Sequence, residues 1–365
     1  MAINIFQMKR FFVFSFMIFC LGYFYGQFPS DTTPLNQIRI LASHNSYKKK
    51  PHHKVLRFLK KFQGKLGDQN NPDYIDYGHL PFAAQFNDYG IRGVELDVNY
   101  DPEGGHYKRR RVNLFLFGQR QRLKGAGLKK PGFKILHISD VDFETNYLTL
   151  KSALKDLKTW SEAHPGHLPI YVNIEAKGSH PADESKSLKR LGFQTCIPFD
   201  SIAFLSLEDE IKSILKPNQI YSPKHFKDKC SSSRSRINTR GWPTLKEVRG
   251  KFIFVLEGSN QHVYKSFIDP IMFYYGDIND ENTVFLLRND AVASRTDIHN
   301  LSTNFIIRTR SDSGTRESRE NNYYTWENAL KSQAQIISTD YYKADSRFSS
   351  YKVGFPNGLF ELINP

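Results

Sequence analysis

In the stretch Arg39-Ile40-Leu41-Ala42-Ser43-His44-Asn45-Ser46-Tyr47 an apolar, strand-like run ends abruptly in a histidine and a carboxamide. A second run, Ile91-Arg92-Gly93-Val94-Glu95-Leu96-Asp97-Val98, carries two carboxylates at i, i+2 spacing near its end. Residues two apart in a strand share one face. A third run, Phe133-Lys134-Ile135-Leu136-His137, ends in another histidine, and Tyr171-Val172-Asn173-Ile174-Glu175-Ala176-Lys177 repeats the i, i+2 pattern with Glu175 and Lys177. Polar groups that repeatedly terminate buried strands are how a parallel barrel assembles a site at one rim.

Working outward, eight short runs predict strands: Gln37–Ala42, Gly93–Asn99, Lys134–Ile138, Pro169–Glu175, Lys251–Glu257, Val284–Arg288, Asn304–Thr309 and Gln335–Thr339. Most are almost continuously apolar, as strands buried on both faces must be. Helical patterns fall between several of them. The clearest is Thr145–His164, with Leu148, Leu150, Leu154, Leu157 and Trp160 as its apolar stripe and Pro165-Gly166 as its stop. Others are Glu184–Leu191, Leu205–Leu215, Thr244–Arg249, Ser259–Phe267 and Tyr324–Lys331. Strands alternating with helices predict an α/β chain, a single (β/α)8 TIM-type barrel over residues 27–365. Residues 179–241 read as an elaborated connection after the fourth strand.

The amino terminus stands apart from that fold. Lys9-Arg10 precede an apolar run from Phe11 to Tyr25, with Gly26 at its end. That is the pattern of a cleavable signal peptide, residues 1–26, and implies a secreted or periplasmic protein. The run is short for a membrane span. Beyond it two cysteines remain, Cys196 and Cys230, which an oxidising compartment would allow to pair.

Charge is uneven. Residues 48–65 hold eight basic side chains and residues 108–134 hold ten, with no acidic residue in either. The overall charge of +14 therefore belongs to two segments on an otherwise acidic body. Both interleave apolar residues, among them Phe58, Phe62, Phe115 and Phe117. Basic plus apolar surface suits an anionic membrane, with nucleic acid as the competing partner and a solvated loop as the plain alternative. The expectation is a monomer acting on lipid at a membrane surface rather than a nucleic-acid binder.

The strand ends carry the chemistry. Asn45, Glu95, Asp97 and Glu175 are oxygen donors without a cysteine, the set suited to a hard cation such as Ca2+. Two histidines beside such a metal suit phosphoryl transfer: one helps remove a hydroxyl proton and the other protonates the leaving oxygen. Lys177 is placed to hold an anionic group.

In these residues the chain resembles the calcium-dependent, secreted phosphatidylinositol-specific phospholipase C group, whose catalytic domain is a phospholipase C-like phosphodiesterase barrel. The resemblance runs over residues 35–342. Its carriers are Asn36-Gln37-Ile38 leading to Ser43-His44-Asn45-Ser46-Tyr47, Arg92-Gly93-Val94-Glu95-Leu96-Asp97, Leu136-His137, Glu175-x-Lys177, Trp242-Pro243-Thr244-Leu245, Arg308-Thr309-Arg310-x-Asp312 and the run Ala334 to Tyr341. It implies His44 and His137 as the catalytic pair and Asn45, Glu95, Asp97 and Glu175 as calcium ligands. Glu95 or Asp97 would double as base for the inositol 2-hydroxyl. Lys177, Arg308 and Tyr342 would grip the head group. The implied reaction yields diacylglycerol and a cyclic or hydrolysed inositol phosphate. The chain departs from the family's pattern in its basic segments and in Tyr147, where a cysteine is expected. Two alternatives stay open: a glycerophosphodiester phosphodiesterase, whose first histidine is typically followed by Arg-Gly, and a non-catalytic barrel that binds anionic membranes.

Overall fold

The computed structural model describes residues 29–66, 70–117 and 126–364; the proposed signal segment lies outside the described residues. Eight parallel staves run as β1 (Ile38–Ser43), β2 (Ile91–Asn99), β3 (Ile170–Ala176), β4 (Phe252–Gly258), β5 (Phe273–Tyr274), β6 (Phe285–Leu287), β7 (Ile306–Arg310) and β8 (Ile336–Thr339). Hydrogen-bonded neighbours follow the order β5-β4-β3-β2-β1-β8-β7-β6. A parallel bridge between Tyr275 and Phe285 closes the ring. The barrel expectation holds.

Two of its details do not. The run Lys134–Ile138 is not a stave: only Lys134–Ile135 is strand, and it pairs antiparallel with Val98–Asn99 at the end of β2. Its apolar residues are buried for another reason. Phe133 and Ile135 enter the main core, while Leu136 packs with Tyr107 and Phe143. The missing stave is β5, two residues long and without a period to read. A further antiparallel strand, Glu361–Ile363, pairs with the start of β1.

The helices follow from side-chain spacing and caps. Helix Leu150–Ala163 buries Leu150, Ala153, Leu154, Leu157, Trp160 and Ser161, one stripe at 3.6-residue period. Thr149 and Ser152 form a capping box that starts it, so Leu148 stays in the preceding loop. Helix Phe82–Tyr89, which the sequence reading did not predict, ends at Gly90 with φ 65°. Both basic segments contain helices, His53–Lys61 and Arg111–Phe117. They pack together through Val55, Phe58, Leu59, Val112 and Leu116.

Inside the barrel the period is two. Val94 and Leu96 on β2, and Val172 and Ile174 on β3, face the surrounding helices and join the main core. Gly93, Glu95, Tyr171 and Asn173 line the interior instead. At Gly93 a Cβ would lie 2.6 Å from that of Ala42, so the narrow interior admits only glycine there. The register pairs Asp97 with Glu175, and Glu175 with Glu257, on neighbouring staves. Cys196 and Cys230 are both free, contrary to the pairing allowed above. The Cys196 thiol instead donates to the Lys177 carbonyl at 2.9 Å.

Candidate active site

His44 extends the ladder of β1 by one bond, its N–H donating to Thr339 O at 3.0 Å. Asn45 then turns the chain with φ 49°, a conformation asparagine tolerates. Ser46 holds the turn: its hydroxyl accepts from the Glu95 N–H at 2.7 Å and bonds Ser43. His44 Nδ1 lies 2.8 Å from Asp340 Oδ1 and 3.0 Å from the Tyr77 hydroxyl. Arg310 donates to the other oxygen of Asp340 at 3.0 Å. His44 Nε2 accepts from Arg310 at 3.3 Å and faces Glu95 Oε1 at 3.6 Å.

Burial, helped by Arg310, pushes the His44 imidazole down to about 3, outweighing Asp340. Burial opposes ionisation of Asp340 too, but Arg310 and His44 overcome it and hold that carboxyl at about 2. The pair is therefore a neutral imidazole against a carboxylate, with the imidazole able to accept a proton at Nε2.

His137 is held in the same manner from a different element. Its Nδ1 lies 2.8 Å from Asp142 Oδ2, in a tight loop closed by an Ile138–Asp142 bridge. Asp142 also pairs at 3.2 Å with the fully buried ammonium of Lys48. That ammonium in turn donates to Ile75 O and Tyr77 O, tying the segment that carries Tyr77 to the same carboxylate.

Between the histidines stand the carboxylates. Glu95, Asp97 and Glu175 each offer an oxygen, and these lie within 4.8 Å of one another. Ligands on opposite sides of a calcium ion stand about 5 Å apart, twice a Ca–O distance of about 2.4 Å. Asp97 is fully buried, and its Oδ1 has no hydrogen-bond partner. A buried carboxylate oxygen without a donor is costly unless a cation takes it. The set therefore fits a hard cation. Asn45 Oδ1 receives a long contact from the Tyr47 hydroxyl, 3.4 Å, and its amide donates to the Tyr77 hydroxyl at 2.8 Å.

The three residues expected to grip a head group are placed differently. Arg308 is buried beneath the rim, in contact with Glu95 Oε2 and 3.4 Å from Glu257. Burial raises the Glu95 carboxyl above the usual range, while Arg308 pulls it back and holds it in place. Lys177 donates to Asp97 and Glu175, inside the acidic cluster. Tyr342 is buried in the main core, stacked on His79, and its hydroxyl accepts from the Leu80 N–H. Asp340, Asp142, Tyr77 and Arg310 were given no role from sequence. Asp340 and Arg310 had a signal, since each ends a stave as His44 does. Tyr77 had none.

A closed barrel with two carboxylate-anchored histidines beside an acidic cluster suits metal-assisted phosphodiester chemistry. The family model for Ca2+-dependent phosphoinositide phospholipase C matches residues 33–365. The chain belongs to that family, and is accordingly a calcium-dependent phospholipase C acting on phosphoinositide lipids. No curated protein sequence matches it. Among solved structures it is similar to a calcium-dependent phosphoinositol-specific phospholipase C from a Pseudomonas species, in its apo form. The identity is 15%, the TM-score 0.53, and the match covers 93% of this chain and 98% of that one. The myoinositol complex of the Pseudomonas enzyme matches at 15% identity and TM-score 0.52, covering 92% and 96%. At such identity the likeness speaks for the fold.

Proposed function

We propose that this enzyme cleaves phosphatidylinositol-type lipids with His44 and His137 as the proton-transfer pair and Asn45, Glu95, Asp97 and Glu175 as calcium ligands. The observation that carries this is the matched pair of Nδ1 anchors, Asp340 and Asp142, each at 2.8 Å. Each anchor fixes its ring through Nδ1, so that Nε2 is the nitrogen that exchanges the proton; on His44 the substrate hydroxyl replaces the Arg310 contact at 3.3 Å. The attacking inositol 2-hydroxyl forms the new bond to phosphorus and gives up its proton to His44, with Glu95 beside it. His137 protonates the glycerol oxygen as its bond to phosphorus breaks. The products are diacylglycerol and a cyclic inositol phosphate, which water can open. Bound calcium supplies charge neutralisation at the phosphate and acidifies the attacking hydroxyl.

The active rim and the basic segments leave the barrel on one side, because both segments follow stave ends. Lys54, Arg57, Lys61, Lys108 and Arg109 are exposed, as are Phe62 and Phe115. We read this surface as the membrane contact, basic side chains meeting anionic lipid and rings entering the interface. Residues 1–26 complete the reading as a signal for secretion or periplasmic export of a monomeric enzyme.

The test is hydrolysis of phosphatidylinositol against phosphatidylcholine vesicles, with and without chelator, products followed by phosphorus NMR. Calcium-dependent release of cyclic inositol phosphate, lost in H44A, is expected. Turnover of water-soluble glycerophosphodiesters alone would move the assignment to that class, and an active H44A would overturn the role of His44.

A further inference from the structure

Lys177 follows directly on β3, its N–H continuing the ladder to Val98 O at 3.1 Å. Its carbonyl accepts from Cys196, so the backbone is fixed at both ends. The ammonium stands between two carboxylates of the acidic cradle, 2.9 Å from Glu175 Oε1 and 3.2 Å from Asp97 Oδ2. Both its ion pairs among the described residues are thus to proposed calcium ligands. Glu95, the third carboxylate, is matched separately by Arg308.

The match at Lys177 is incomplete. Asp97 and Glu175 share one positive charge between two negative ones, and Asp97 Oδ1 remains without a partner. A divalent cation balances both carboxylates and reaches the oxygen that the ammonium leaves bare. The lysine cannot share that position with a second cation. At about 4 Å, like charges repel strongly in a partly desolvated cradle. Its side chain is 13% exposed on a flexible four-carbon stem, so it has a route out toward the mouth.

We propose that Lys177 is an internal counter-ion that occupies the calcium cradle in the metal-free enzyme and is displaced when calcium binds. Calcium affinity is then set by exchange of one cation for another, not by filling of an open cradle. The ammonium prevents two buried carboxylates from standing unpaired before the metal arrives. It leaves the cradle as the metal enters, and so becomes free for a substrate anion only in the loaded enzyme. This rests on Asp97 and Glu175 being calcium ligands.

The experiment is calorimetric titration of Ca2+ into metal-stripped protein without substrate, alongside thermal unfolding in chelator and in saturating Ca2+. K177M should bind Ca2+ at least about tenfold more tightly than the parent, because no resident charge has to leave. It should also melt lower in chelator and gain the larger upward shift on adding Ca2+. K177R retains a cation and should bind no more tightly than the parent. K177Q replaces K177M, with the same expectation, if metal-free K177M does not stay folded. Equal or weaker Ca2+ binding by K177M or K177Q, or tighter binding by K177R, overturns the proposal. D97N separates the two levels. If D97N binds Ca2+ as well as the parent, the ligand reading itself falls. If D97N loses binding while K177M is unchanged, only the counter-ion role falls.

Discussion

Asp340→Asn tests the division of labour at the site without touching any proposed metal ligand. The side chain keeps its shape and loses its charge. In the parent, the imidazolium that forms on His44 faces that charge with Nδ1 2.8 Å from Oδ1. At an effective dielectric of about 20 the pair is worth about 6 kcal/mol. Arg310 draws on the same carboxylate from 3.0 Å, and His44 is one-fifth exposed, so about half remains for the imidazolium. A loss of about 3 kcal/mol is about a hundredfold in kcat. The amide also offers a donor to Nδ1 and so favours the wrong tautomer, which adds to the loss. The assay is initial-rate hydrolysis of phosphatidylinositol in mixed micelles at saturating Ca2+, with circular dichroism to confirm the fold. The double variant H44A/D340N should be no slower than H44A alone, because Asp340 acts through that ring. A D340N enzyme within about fivefold of the parent, a change below about 1 kcal/mol, would refute the reasoning. So would additive losses in the double variant.

Two further outcomes check other layers of the molecule. Replacing Lys54, Arg57, Lys108 and Arg109 by Gln should weaken partition onto phosphatidylserine vesicles by at least about a hundredfold, each basic residue near the surface contributing about 1 kcal/mol. Hydrolysis of a soluble inositol phosphodiester should be unchanged, and unaltered sedimentation with vesicles would return these segments to ordinary solvated surface. Arg110 and Arg111 are left out of that set because Arg110 pairs with Glu144 and Arg111 donates to the Gly192 carbonyl. Gly90→Ala should lower stability by about 2 kcal/mol in urea unfolding, since a Cβ at φ 65° is strained and would meet the ring of Phe360. An unchanged midpoint would show that the helix end relaxes freely.

Local chemistry was legible wherever it repeated along the chain. Seven of the eight staves announced themselves as apolar runs, because a strand covered on both faces has no polar side. Where such a run ended in polar residues, the ending marked the rim. His44, Glu95 and Asp97, and Glu175 stood out on that ground alone. The failure at Lys134–Ile138 has the same origin: an apolar run records burial and says nothing about which partner does the burying. Phe273–Tyr274 escaped because two residues carry no period, and closure of the ring gave them their place as a stave.

What no spacing could supply is which side chains meet. Asp142 and Asp340 became the anchors of the two histidines through a tight loop and a neighbouring stave, contacts separated by five residues and by nearly three hundred. Arg308, read as a head-group contact, proved to brace Glu95 from below, because alternate residues of β7 point into the barrel at a depth the sequence does not reveal. Tyr342 looked available and is buried. Lys177 looked like a grip for phosphate and instead lies between two carboxylates. The sequence by itself determined the barrel, the acidic and histidine endings of its staves and the two basic segments, since burial and charge are written residue by residue. Only the tertiary structure decided who partners whom, because that depends on register and depth around a closed ring, which are properties of all eight staves together.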